Sequence, residues 1–297
     1  MKIKKTHSII LSAFAIILTS SVFAHPTGNM ITIGKQVLWS YINPINDRAH
    51  HACVMIWRPG NAPKVWVKSD YPASDFMLYS DQNNIYLIER RHIQTSQKFE
   101  IRILKTTING EPEVIWNWFE DEWRIGEGGF FMVSDNQVVF GKYPKVYSLK
   151  KGETPSAYFN FEAPINRIRS LENEQILLLG DSTCWLVEQN GRIINKWTGL
   201  LDNQVKNAPL NRNQIFDVDY YNGQLLLAYW GKRSFEIIDR HGKRKAILQQ
   251  KEPFTPHWVA FLENDKLLFS SELFFNGETP KPKLMRMASN GDAVKIW

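Results

Sequence analysis

Two sets of residues in this chain have types that could do chemistry. The first is Asp75, Glu127, Asn166, Asp217 and His257. Three carboxylates, an amide and an imidazole are the oxygen and nitrogen donors that hold a divalent cation such as Ca, Mg, Mn or Zn. The second set is cationic: Arg48, His50, His51, Arg90, Arg91 and His92. Guanidinium groups grip carboxylate, sulfate or phosphate through paired N–H donors, so this set suits a polar or anionic ligand. Neighbouring side chains on a strand point to opposite faces, so at most one of His50 and His51 would serve a given site. Motifs that carry their own mechanism are missing. The sequence has no G-x-S-x-G, no phosphate-cradling Gly loop, no H-E-x-x-H and no EF-hand loop.

These residues are scattered over the chain, and only a repeating architecture would gather them. Six segments share one form, a Gly followed by an apolar and often Trp-ended run: Gly60, Gly110, Gly152, Gly191, Gly242 and Gly291. Polar turns interleave with them, each ahead of a short apolar run such as IYLIE, ILLLG or LLLAY. Every unit therefore reads as four short strands rich in Val, Ile, Tyr, Phe and Trp. Units of this length with four strands predict an all-β fold, a six-bladed β-propeller of four-stranded antiparallel blades. The expected blades span about 28–69, 72–118, 127–161, 164–198, 214–249 and 256–297, in a single domain over 25–297. A β-sandwich or a pair of small barrels is the alternative. Trp66, Trp116, Trp118, Trp197 and Trp297 recur in outer strands and are expected to pack between blades. Cys53 and Cys184 hold the same third-strand position in opposite blades, too far apart to bridge, and are expected as free buried thiols.

In such a blade both tight turn series fall on one face, so length variation falls on the other. The loops between second and third strands read as long in blades one, two and six (INPINDRAHH, RRHIQTSQK, ELFFNGETPKPK). Blades six, one and two adjoin in a closed ring. Their loops would form one wall carrying Asn46, Asp47, the cationic set, Glu272, Phe274 and Phe275. Two connections between blades, FEDEWRIGEGG and GLLDNQVKNAPLNRNQ, are also long. The donor set falls at the starts of innermost strands, around the mouth of the central channel.

That donor pattern resembles the six-bladed lactonases of the gluconolactonase and paraoxonase kind. The resemblance implies that Glu127, Asn166 and Asp217 hold a divalent metal that polarises an ester carbonyl, with His257 as base or ligand. The form of the repeat, a polar turn, a β-run, then N-G and a Trp-ended run, resembles the bacterial arylsulfotransferase-like propellers and implies blade structure alone.

Residues 1–24 read as a cleaved secretory signal: Lys2, Lys4 and Lys5, an apolar stretch Ile9 to Leu18, then Val22-Phe23-Ala24. The chain is then expected to be exported, periplasmic or secreted. That segment holds three Lys and no acid, so its removal halves the formal net charge of +6. No run of five like charges remains, which argues against nucleic acid as a partner. No later segment is apolar for the length of a transmembrane helix. The first reading is an exported propeller that binds a polar or anionic ligand, or a protein partner, on the wall of blades six, one and two. The alternative is a divalent-metal-dependent hydrolase or lactonase at the channel mouth.

Overall fold

The computed structural model describes residues 28–42, 51–81, 83–273 and 281–297. It is all-β, with six antiparallel sheets of four strands arranged as a propeller. Each sheet is one continuous stretch of chain with its strands in sequence order. The first blade holds β1 (Met30–Ile33), β2 (Gln36–Ile42), β3 (Ala52–Trp57) and β4 (Lys64–Lys68). The second holds β5 (Ser74–Ser80), β6 (Ile85–Ile93), β7 (Lys98–Thr106) and β8 (Glu113–Glu120). The third holds β9 (Phe130–Ser134), β10 (Gln137–Lys142), β11 (Lys145–Lys150) and β12 (Ser156–Ala157). The fourth holds β13 (Arg167–Ser170), β14 (Gln175–Leu179), β15 (Cys184–Glu188) and β16 (Ile193–Trp197). The fifth holds β17 (Ile215–Tyr221), β18 (Gln224–Tyr229), β19 (Ser234–Ile238) and β20 (Arg244–Gln249). The sixth holds β21 (Phe254–Leu262), β22 (Asp265–Glu272), β23 (Pro282–Met287) and β24 (Ala293–Lys295).

The ring follows from how the alternating side chains are shared. Leu225 and Leu227 of β18 pack into the junction with the fourth blade. Leu226 and Ala228 of the same strand pack into the junction with the sixth. A strand that is apolar on both faces is what a blade between two others requires. The remaining neighbours share four more clusters of this kind. One of them joins the last blade to the first: Trp39 and Tyr41 of β2 meet Phe269 of β22 and Trp297, with the Trp297 ring 5.5 Å from Trp39 and 5.1 Å from Tyr41. Trp66, Trp116, Trp197 and Trp297 all pack at junctions. Trp118 instead lies under two guanidinium groups, those of Arg91 and Arg102. Cys53 and Cys184 are buried and unbridged.

Two local features set the geometry near the axis. Gly129 has φ +84°, and a Cβ there would come within 2.0 Å of the Ile168 carbonyl oxygen. Only glycine allows β9 to start this close to β13. The inner strands β17 and β21 each carry an irregularity, between Ile215 and Asp217 and between Pro256 and Trp258. These bulges re-aim Phe216 and His257 out of the ordinary alternation.

Among the expected long loops, that of blade two is a correction. Arg90, Arg91 and His92 lie inside β6 and pair with Ile101, Glu100 and Phe99 of β7. The hairpin is extended and closes through residues 94–97. Its apolar alternation, IYLIERRHI against KFEIRILKT, continues the ladder through the charged positions.

Candidate functional site

The site is built where the two long connections between blades meet the starts of inner strands. A cavity of about 590 Å³ opens there, between the third, fourth and fifth blades. Glu127, at the end of the first connection, forms one side. Asn166 and Arg167, at the start of β13, lie beside it. Asp181 follows β14, and Asn213 and Gln214 end the second connection. Phe216, Leu179 and Leu201 supply apolar surface. The lining is mostly polar, unlike the mainly apolar walls of most small-molecule pockets, and so suits a polar ligand.

The walls are held by specific bonds. Asn213 accepts from the Tyr229 hydroxyl (3.0 Å) and donates through Nδ2 to the Asp202 carbonyl (2.9 Å). Arg90 anchors the first connection. Its Nη1 donates to Glu127 Oε1 at 2.6 Å, its Nη2 to the Ile125 carbonyl at 3.3 Å, and its Nε lies 3.5 Å from Asp121 Oδ2. Burial raises the Asp121 carboxyl above its ordinary value, against the pull of Arg90.

Beneath the cavity the axis is filled by ion pairs. Asp217, almost fully buried, lies between two guanidinium groups: Arg169 donates to its Oδ2 at 2.8 Å, and Arg167 lies 3.5 Å from its Oδ1. Arg169 also reaches Asp219 at 3.2 Å. The same two carboxylates accept from the main-chain N–H of Val259 (3.1 Å) and Phe261 (2.7 Å) in β21. They thus do for the fifth and sixth blades what a ladder would do between ordinary strands. Burial raises the Asp219 carboxyl, and Arg169 works against it. Burial lowers the Arg167 guanidinium, and Asp217 opposes that.

Arg167 is the group this arrangement leaves for a ligand. Its side chain is 17% exposed and lines the cavity. Among the described residues it has one ion pair, the long contact to Asp217. It lies over the Phe216 ring, 5.5 Å from the centroid.

The expected residues fall in different places. Glu127 and Asn166 line the cavity. Asp217 lies below it between the arginines, and His257 is wholly buried. The His257 Nδ1 bonds to the Thr255 carbonyl at 2.9 Å, and its ring packs edge-on against the stacked rings of Phe216 and Trp230. Asp75 sits in β5 opposite Arg90. Among the described residues no three His, Cys, Asp or Glu side chains come together to share a cation. The donor set does not fit a divalent metal as arranged, because Glu127 and Asp217 are each held by arginine and Asn166 donates to Asp181.

The cationic set is also divided. Arg90 is turned inward onto Glu127 and Asp121. Arg91 donates through Nε and Nη2 to Glu100 and stacks on Tyr71 and Trp118 at 4.6 and 4.1 Å. His92 packs against Phe99 at 5.0 Å. His51 lies directly before β3. Arg48 and His50, with Asn46, Asp47, Phe274, Phe275 and residues 1–24, lie outside the described residues. Arg167, Asp181, Asn213, Gln214 and Phe216 were not among the expected site residues. The available signal was the length of the connections that end at Glu127 and Gln214.

Among the described residues no helix is long and apolar enough to cross a membrane. No family model and no curated protein matches the sequence. Solved structures do resemble the fold. Virginiamycin B lyase from Staphylococcus aureus is 11% identical, with a TM-score of 0.50 over 84% of this chain and 92% of that one. A catalytically inactive variant of that lyase, solved with quinupristin, is 10% identical, with a TM-score of 0.51 over 89% and 96% of the two chains. At such identities the likeness shows the propeller fold alone.

Proposed function

We propose that this is an exported propeller that binds a small polar ligand at the channel mouth, in the cavity between blades three, four and five. The observation that carries this reading is Arg167. A guanidinium stays cationic at any physiological pH and has five N–H donors in a fixed fork. Here it lines a cavity and, among the described residues, has one long ion pair. The wall of blades six, one and two is supported less, because Arg90, Arg91 and His92 already have protein partners. A metal-dependent hydrolase is also supported less, because its ligands are engaged separately by arginine and amide groups. Export rests on the basic and apolar pattern of residues 1–24.

The test is a screen of polar small molecules against the mature chain by ligand-observed NMR and thermal shift. Hits should raise the melting temperature of the wild type and fail with Asn166→Trp, which places an indole at the exposed edge of the cavity. Hits that bind both proteins equally, or no hits, would overturn the reading. Export is tested separately by fusing residues 1–24 to a reporter active only outside the cytoplasm.

A further inference from the structure

We infer that the ligand is a zwitterion of short-peptide size, with its carboxylate on Arg167 and its amine on Asp181; this rests on the cavity reading above. The charges of the walls carry the argument. In the axial cluster Arg169 holds Asp217 at 2.8 Å and Asp219 at 3.2 Å, while Arg167 makes only the 3.5 Å contact to Asp217. Glu127 is matched by Arg90 at 2.6 Å and Arg124 at 3.7 Å. Asp181 lines the cavity with no such match. Its Oδ1 accepts from Asn166 Nδ2 at 2.6 Å, and among the described residues no cationic side chain lies within ion-pair distance of it. The cavity therefore presents one guanidinium with donors to spare and one carboxylate without a counter-cation.

A simple anion placed on Arg167 would face Asp181, and a simple cation on Asp181 would face Arg167. A molecule with one charge of each sign satisfies both. An ammonium group matches Asp181 because it donates hydrogen bonds as well as carrying charge. Between the two ends lie groups suited to a peptide backbone and small side chains: the Asn166 and Gln214 amides, and the apolar surface of Phe216, Leu179 and Leu201. A volume of about 590 Å³ is ample for a tripeptide and too large for a free amino acid to fill.

The experiment is isothermal titration calorimetry at neutral pH with trialanine, N-acetyl-trialanine and trialanine amide. Trialanine should bind saturably to the wild type and not to Asn166→Trp. Either cap should weaken binding about tenfold or more, the loss of one charge-assisted hydrogen bond. Arg167→Gln should become indifferent to the C-terminal amide while still sensing the acetyl group. Asp181→Asn should do the reverse. Circular dichroism checks that both variants fold, and Asp181, on the surface, is the safer of the two. Equal affinity for capped and uncapped peptides, or no saturable binding of trialanine, overturns the inference. If trialanine fails while other screened molecules bind in a way that Asn166→Trp abolishes, the cavity reading stands and only the zwitterion falls. If nothing binds, both fall.

Discussion

The Nη2 of Arg169 lies 3.4 Å from the main-chain oxygen of Met30, although the two residues belong to the fourth and first blades, opposite each other in the ring. One guanidinium therefore spans the axis. It also holds Asp217 and Asp219, each of which accepts at Oδ2 from a main-chain N–H of β21. Arg169 thus touches the first and fifth blades directly and braces the sixth through the two carboxylates.

Removing that cation should be costly. Arg169→Met leaves Asp219 without a counter-cation among the described residues and Asp217 with only the 3.5 Å contact to Arg167, and breaking a buried pair in this way costs about 3–5 kcal/mol. Urea denaturation should show the midpoint fall with little change in slope. Adding Asp217→Asn should recover part of the loss, since one of the two carboxylate charges is then gone. A loss below about 1 kcal/mol for the single variant would mean that the cluster is solvated and is not the brace described above.

The turn after β5 supplies an acid-sensitive contribution. Asp81 Oδ1 accepts from the main-chain N–H of Asn83 (2.7 Å) and Asn84 (2.6 Å). Burial alone would raise this carboxyl, but the hydrogen bonds from Asn84 and Asn83 outweigh it and hold the pKa below its ordinary value. A carboxyl depressed on folding stabilises above the unfolded value, near pH 4, and loses that stabilisation as pH falls through the folded value. Asp81→Asn should cost about 1 kcal/mol at neutral pH. The gap between variant and wild type should close below about pH 4. Parallel denaturation curves from pH 3 to 7 check this, and a gap that widens in acid would reverse the assigned sign.

The thiols should be silent in the native protein. Cys53 and Cys184 have no solvent exposure, and burial pushes the Cys184 thiol well above its ordinary value, away from the reactive thiolate. A chromogenic disulfide reagent at pH 8 should label neither in the folded state and both in denaturant, without added reductant. Two thiols appearing only after reduction would point to a bridge, which their places on opposite blades forbid.

The blades were legible because their signals are local. A Gly turn such as Gly242, or alternation such as that of Leu225 to Ala228, is complete within a few residues. The cavity was legible only in part. Glu127 and Asn166 were expected at one mouth and do line one cavity. Asp217 and His257 were expected beside them and are turned away, because Phe216 and His257 sit at bulges that shift the register of β17 and β21 by a residue. A bulge has no compositional mark strong enough to displace a strand pattern. The pairing of Arg90 with Glu127 spans 37 residues and two blades, so nothing near either residue announced it. The charged positions of β6 suggested a loop by their polarity, yet they continue a strand because their partners on β7 are complementary, as Arg91 is to Glu100.

Among the described residues the first blade contributes no strand to the sixth, nor the sixth to the first. The seam between them is made of Trp297 against Trp39 and Tyr41, the same kind of side-chain packing found at the other junctions. Each blade is thus one continuous stretch of chain, tied to the others by side chains and not by a shared strand. A blade could therefore be gained or lost as one contiguous segment, provided that the side-chain pairs crossing the axis were remade.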